Sequence, residues 1–235
     1  EEALAGYCGA RYAVAVSSGT AALHLACIVA GIKNGDEVVT TPITFVASAN
    51  CILYCGGKPV FADIDNHSYN IDAAEIRKKI TSNTKAVIPV HFAGLICDME
   101  AIREIADEHD LVIIEDACHA LGSQWRDSSG KWNKTGSCSH SDMVVFSFHP
   151  LKSITTGEGG MILTNNESFY QKLIRLRKHG ITKNAEIMED KSKKLWHYQQ
   201  VELGFNYRIT DIQAALGISQ LKRIDKFILR RNELA

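Results

Sequence analysis

The chain has 235 residues, 46% of them hydrophobic, and a formal net charge of −1. That length holds one large domain with a real core, or two small ones, and the near-zero charge excludes a bulk electrostatic pull toward nucleic acid or a membrane surface. The longest apolar run, residues 21–30, is interrupted by His24 and falls short of the roughly 18 residues that cross a bilayer.

Short β-branched runs alternate with longer helical patterns along the whole chain. Residues 13–16 read as a strand, and 20–31 as a helix apolar on nearly every side, hence buried. After the turn Asn34-Gly35-Asp36 come a strand at 37–40, a helix at 43–55 and a strand at 59–63. A helix over 72–80 has Asp72 as its N-cap, and a strand follows at 86–90. Residues 98–109 form the clearest amphipathic helix, with Met99, Ile102, Ile105 and Ala106 on one face. The apolar strand 111–114 ends in Glu115-Asp116, and further strands are read at 143–148 and 160–164. Helices at 167–178 and 210–221 complete the pattern, the latter opened by Thr210 or Asp211. Strands buried on both faces and alternating with helices predict an α/β fold with a mostly parallel sheet sandwiched by helices. The chain lacks an initiator Met, opens in an acidic helix-like stretch and stops inside the amphipathic run 218–235. It is therefore expected to be a piece of a longer protein.

Seven cysteines, none in a CxxC pair, read as reduced thiols in a cytosolic protein. Cys51 and Cys55 stand four apart on one helical face, but two ligands do not make a metal site, and they read as buried free thiols. Cys138, His140 and Asp142 lack a second ligand cluster and read as loop, so no metal is expected.

In parallel sheets ligands bind beyond the carboxyl ends of the strands, so the residues just after each strand carry the chemistry. Ser17-Ser18-Gly19-Thr20 joins a strand to a buried helix. Small residues there let a phosphate approach the free N–H groups and positive dipole of the helix N-terminus; a plain N-cap with a glycine turn explains the same residues equally well. The run contains neither GxGxxG nor a P-loop, which disfavours a dinucleotide or NTP site. Asp116, at the end of a buried strand, needs a cationic partner, and a protonated pyridine nitrogen is one. His119 lies close by, where a core histidine is the simpler reading. Lys152 follows Ser147-Phe148-His149-Pro150-Leu151 and precedes Gly157-Glu158-Gly159-Gly160. Alone it would pass for a surface lysine, but an amine desolvated after a buried strand makes a competent Schiff-base group and proton carrier. An anion cradle, a strand-end aspartate and a strand-end lysine, in that order, are what a pyridoxal 5'-phosphate (PLP) site requires.

At these residues the sequence resembles the DegT-type sugar aminotransferases, which are fold-type I PLP enzymes. The resemblance is carried by Ser18-Gly19-Thr20-Ala21-Ala22-Leu23, Thr41-Pro42-Ile43-Thr44-Phe45, Glu115-Asp116-Ala117-Cys118-His119-Ala120-Leu121-Gly122, Ser147 through Lys152, Gly157 through Gly160, and Gly204-Phe205-Asn206-Tyr207-Arg208. It implies a seven-stranded large domain over 1–235, truncated at its N-terminus and lacking the small C-terminal domain. It implies that Lys152 carries PLP covalently, that Asp116 pairs with the pyridine nitrogen, and that Ser18, Gly19, Thr20 and Ser147 hold the phosphate. It places Phe45 on the ring and His119 where relatives often have Gln. It gives Asn206 to the phosphate of the neighbouring subunit, hence a homodimer with shared sites. The implied activity is transfer of an amino group, with glutamate as donor, to a nucleotide-linked 4-keto-6-deoxy sugar. A PLP-dependent sugar dehydratase is an alternative, but those relatives replace the lysine with histidine. A catalytically silent binding or regulatory homologue is another, opposed by the joint presence of Lys152, Asp116 and Ser147.

Overall fold

The computed structural model describes residues 1–189 and 196–234. Residues 190–195 of the polar stretch before Gln200, and the last residue of the 218–235 run, lie outside them. The chain runs α1 (Glu2–Cys8), β1 (Tyr12–Val16), α2 (Gly19–Val29), β2 (Glu37–Thr40), α3 (Ala47–Tyr54), β3 (Lys58–Phe61), α4 (Ala73–Lys79), β4 (Thr84–Ile88), α5 (Met99–His109) and β5 (Val112–Asp116). It continues through β6 (Gln124–Arg126), β7 (Trp132–Lys134), β8 (Met143–Ser147), β9 (Gly160–Thr164), α6 (Glu167–Leu176), β10 (Ile181–Thr182), β11 (Gln199–Gln200), α7 (Asp211–Leu221) and α8 (Ile224–Leu234).

Seven strands form one sheet in the order β1-β9-β8-β5-β4-β2-β3. Every pair is parallel except those made by β9, which runs antiparallel to both β1 and β8. The central strands β4, β5, β8 and β9 are almost wholly buried, as strands covered on both faces must be. One apolar cluster packs α2, α3 and α6 on one face, with Leu23, Leu25 and Ile52 fully enclosed. On the other, α5 presents Met99, Ile102, Ile105 and Ala106 to Val87 and Ile113, the face its periodicity marks out. Asp72 and Asp98 cap α4 and α5 through the N–H groups of Ala74 and Ala101, and Thr210 opens α7 with a capping box to Gln213.

Three expectations change, and one element is new. The helix read at 43–55 begins only at Ala47. Thr41 Oγ1 accepts the Ile43 N–H at 3.3 Å across Pro42, and residues 42–46 form a bend and turn ahead of the helix. Over its described residues, the run from 218 is the end of α7 and the whole of α8, broken at Lys222 and Arg223. The hairpin of β6 and β7 has three-residue strands, too short to show a period. Cys51 is buried as expected, but Cys55 is half-buried at the end of α3; all seven thiols are free.

Candidate active site

Parallel strands end on the same edge of the sheet, and each following helix starts there, so carboxyl ends and positive helix ends converge. A cavity of about 520 Å³ lies at this edge, walled by the segments after β1, β2, β4, β5 and β8 and before β9. Of the residues singled out from the sequence, Ser18, Gly19, Thr20, Phe45, Asp116, His119, Ser147 and Lys152 all face it. Asn206 does not.

Ser18 is the N-cap of α2, its Oγ accepting the Ala21 N–H at 3.0 Å. Gly19 and Thr20 head the helix, where the first amides have no carbonyl partner. The cradle is tight. A Cβ on Gly19 would stand 2.9 Å from Ser147 Cβ, and one on Gly160 would stand 2.4 Å from the Ser18 carbonyl oxygen. Register explains the crowding, since Gly160 pairs with Val16 on one side and Ser147 on the other. Only glycine lets these three strand ends close around an anion-sized gap.

Glu115 and Asp116 are neighbours on β5, so they point to opposite faces. Glu115 turns away from the cavity, accepting hydrogen bonds from fully buried His91 at 2.7 Å and from Ser141. The Cys97 N–H donates to His91 Nδ1 at 3.2 Å, which leaves the ring proton on Nε2, facing Glu115. Asp116 turns to the cavity and is 5% exposed. Its Oδ2 accepts the Ser48 hydroxyl at 2.6 Å and its Oδ1 accepts the Cys118 N–H at 3.2 Å. It forms no ion pair among the described residues. Desolvation and the Asp116 charge push the Cys118 thiol well above its ordinary value, with Lys152 opposing, so it stays protonated. Partial desolvation and the neighbouring Lys152 charge lower the His119 pKa, with Asp116 opposing, so His119 is neutral at pH 7.

Lys152 is half-buried in the connection 148–159 between β8 and β9. That loop is stitched at its base by Phe148 N–H to Gly159 C=O at 2.8 Å and Thr156 N–H to Phe148 C=O at 3.0 Å. The Lys152 N–H closes a turn onto His149 C=O at 2.9 Å. Phe45, 70% exposed, projects from the bend before α3. Asn206 is exposed, accepting from Arg208 at 3.1 and 3.2 Å. Its segment is anchored beside the end of β1, where Ser17 N–H donates to Tyr207 C=O at 2.8 Å.

The sequence reading missed Ser48 and gave no role to Thr44, named only within the motif Thr41 through Phe45; Thr44 Oγ1 lies 2.7 Å from Ser48 Oγ. Hydroxyls at i and i+4 flanking the start of a helix were the only available signal.

The donor set fits PLP: a buried carboxylate with no cationic partner among the described residues, a primary amine on a fixed loop, and a glycine-walled helix N-terminus. The fold and this edge define the α/β architecture of PLP-dependent aminotransferases. The chain belongs to the DegT/DnrJ/EryC1/StrS aminotransferase family, which matches over residues 1–235 and uses PLP. It is 45% identical over 234 residues to GDP-perosamine synthase of Caulobacter vibrioides, covering 100% of this chain and 58% of that protein. It is 41% identical over 237 residues to the UDP-4-amino-4,6-dideoxy-N-acetyl-beta-L-altrosamine transaminase of Campylobacter jejuni, again covering 58% of the relative. The chain thus spans less than two thirds of the curated relatives it matches. Among solved structures, Helicobacter pylori PseC, an aminotransferase of pseudoaminic acid biosynthesis, superposes with a TM-score of 0.84 at 35% identity, over 96% of this chain and 57% of that one. The sugar aminotransferase Spr1654 of Streptococcus pneumoniae, in its PLP form, gives 0.87 at 31% identity, over 99% of this chain and 60% of that one.

Proposed function

We propose that the protein uses PLP to move an amino group from glutamate to the keto carbon of a nucleotide-linked 4-keto-6-deoxy sugar. The observation that carries this reading is the single cavity shared by Asp116, Lys152 and the head of α2. Ser18, Ser147 and the amides of Gly19 and Thr20 hold the phosphate, where the helix dipole favours an anion. Asp116 faces the pyridine nitrogen as its counter-charge. Phe45 covers one face of the ring, and neutral His119 supplies a hydrogen-bonding edge beside it. When bound, the cofactor supplies the electron sink for cleavage of a C–H bond. Lys152 Nζ would anchor it and, within each half-reaction, move a proton between the amino-bearing substrate carbon and the cofactor.

The finer reading is a 4-amino sugar nucleotide of pseudaminic acid biosynthesis. Its support is the likeness to the Campylobacter and Helicobacter enzymes and the phrases Thr40 through Ala47 and Ser147 through Thr156. The site acts in a cytoplasmic homodimer, with the partner's Asn206 closing the phosphate pocket. The chain is the large domain of a longer polypeptide. Both assignments are supported by apolar side chains left exposed on and before α7 and α8, Leu203, Ile212 and Leu229 among them.

The test is mass spectrometry of products from the full-length protein, glutamate and a panel of UDP-, GDP- and dTDP-linked keto-sugars. Amination of one of them is expected. A deoxygenated product, or none from any sugar, overturns the reading.

A further inference from the structure

We propose that Ser48 and Thr44 form a two-hydroxyl relay that holds the Asp116 carboxylate in its aim and couples that aim to the bend carrying Phe45. The consequence for the cofactor rests on the function proposed above; the relay itself rests on this chain's geometry.

Ser48 is fully buried in the first turn of α3, held by its N–H to Phe45 C=O at 3.2 Å. Its hydroxyl reaches Asp116 Oδ2 at 2.6 Å, the length of a bond from a hydroxyl to an ionised oxygen. The competing acceptor, Phe45 C=O, is longer at 3.3 Å and uncharged. A serine hydroxyl has one proton. With that proton on Asp116, Ser48 Oγ can only accept at its 2.7 Å contact with Thr44, so Thr44 is the donor. The chain of protons therefore runs from Thr44 to Ser48 to Asp116. Thr44 lies in the cavity wall, between Ile43 and Phe45. On its other oxygen Asp116 accepts the Cys118 N–H at 3.2 Å, and the Cys118 thiol also hydrogen-bonds to the carboxylate.

This arrangement fixes the carboxylate from both sides while leaving its outer lone pairs for a ligand N–H. It also makes the carboxylate's orientation sensitive to residues 41–46, which carry the aromatic cover. Ser48 and Thr44 are positioning residues, acting through Asp116.

The experiment measures PLP affinity of the full-length protein by fluorescence titration. Ser48→Ala removes the donor to a buried carboxylate and should weaken PLP on the order of 10-fold, and Ser48→Thr should restore it. Thr44→Val should weaken PLP about 3-fold alone and add nothing in the Ser48→Ala background, because it acts through Ser48. Full additivity of the two changes, or wild-type affinity in Ser48→Ala, overturns the relay. Thr44→Val lies at a half-buried position and carries the test without Ser48→Ala: wild-type affinity there removes Thr44 from it. Crystal structures of the cofactor-free full-length variants separate this proposal from the function. An Asp116 carboxylate that turns in Ser48→Ala and keeps its aim in Ser48→Thr supports the relay even in a protein that binds no PLP. An unmoved carboxylate in Ser48→Ala refutes it.

Discussion

The two edges of the sheet carry cavities of similar size and opposite character. At the amino ends of β4 and β5 a hollow of about 430 Å³ is walled by just two connections, residues 80–85 and 109–111. Its two threonines are engaged locally: Thr81 bonds Glu37 at 2.7 Å and accepts the Asn83 N–H, while Thr84 Oγ1 accepts the Thr81 N–H at 2.9 Å. At the carboxyl edge, five connections converge and leave Asp116 and Lys152 without ion-pair partners among the described residues. Volume alone does not make a site. Strand polarity does, because it brings helix N-termini and the buried Asp116 carboxylate to one side.

Lys152→Ala should break the contrast most severely. Turnover should fall by about 10³-fold or more, and borohydride should no longer fix PLP on the peptide that holds residue 152. Labelling of another lysine in the wild type would remove Lys152 from its role. Asp116→Asn keeps the hydrogen-bonding shape but removes the charge. It should slow amination by about 10²-fold with unfolding temperature nearly unchanged, and near-normal turnover would dismiss the assignment.

Asn206→Ala tests whether the carboxyl edge is completed by a second copy. PLP should bind on the order of 10-fold more weakly. Mixing these chains with Lys152→Ala chains should yield heterodimers with one site bearing both lesions and one bearing neither, and so restore activity. No recovery after verified subunit exchange argues against shared sites.

His119 gives a smaller effect, read by pH. Its pKa lies below the ordinary 6.5, so below that value the unfolded chain binds more protons than the folded one. Stability therefore rises with pH through this window. His119→Gln should flatten that rise, measured as unfolding midpoint against pH; an unaltered slope would assign it to other groups. The smallest effect belongs to the opposite edge. Lys85→Ala, exposed in the amino-edge hollow, should leave PLP affinity within about two-fold. A larger loss would mean that the two edges are not independent.

The sequence by itself determined the strand–helix alternation, the helix caps and the residues Ser18, Asp116, Ser147 and Lys152 at or beyond strand ends. Those signals are local: apolar runs, capping side chains and small residues at turns follow from neighbours within a few positions. It also carried the family through motifs spread over the chain. What it left open depends on contacts between distant segments. The antiparallel insertion of β9 between β1 and β8, which forces glycine at 160, depends on pairing that no local pattern encodes. The start of α3 at Ala47 turned on the bend at residues 42–46, which overrode the apolar pattern. The Ser48 bond to Asp116 joins residues 68 apart, and its hydroxyl is unremarkable until β5 and α3 are folded together. Tertiary structure alone decides which polar groups are buried face to face, because burial turns an ordinary serine and aspartate into a fixed pair.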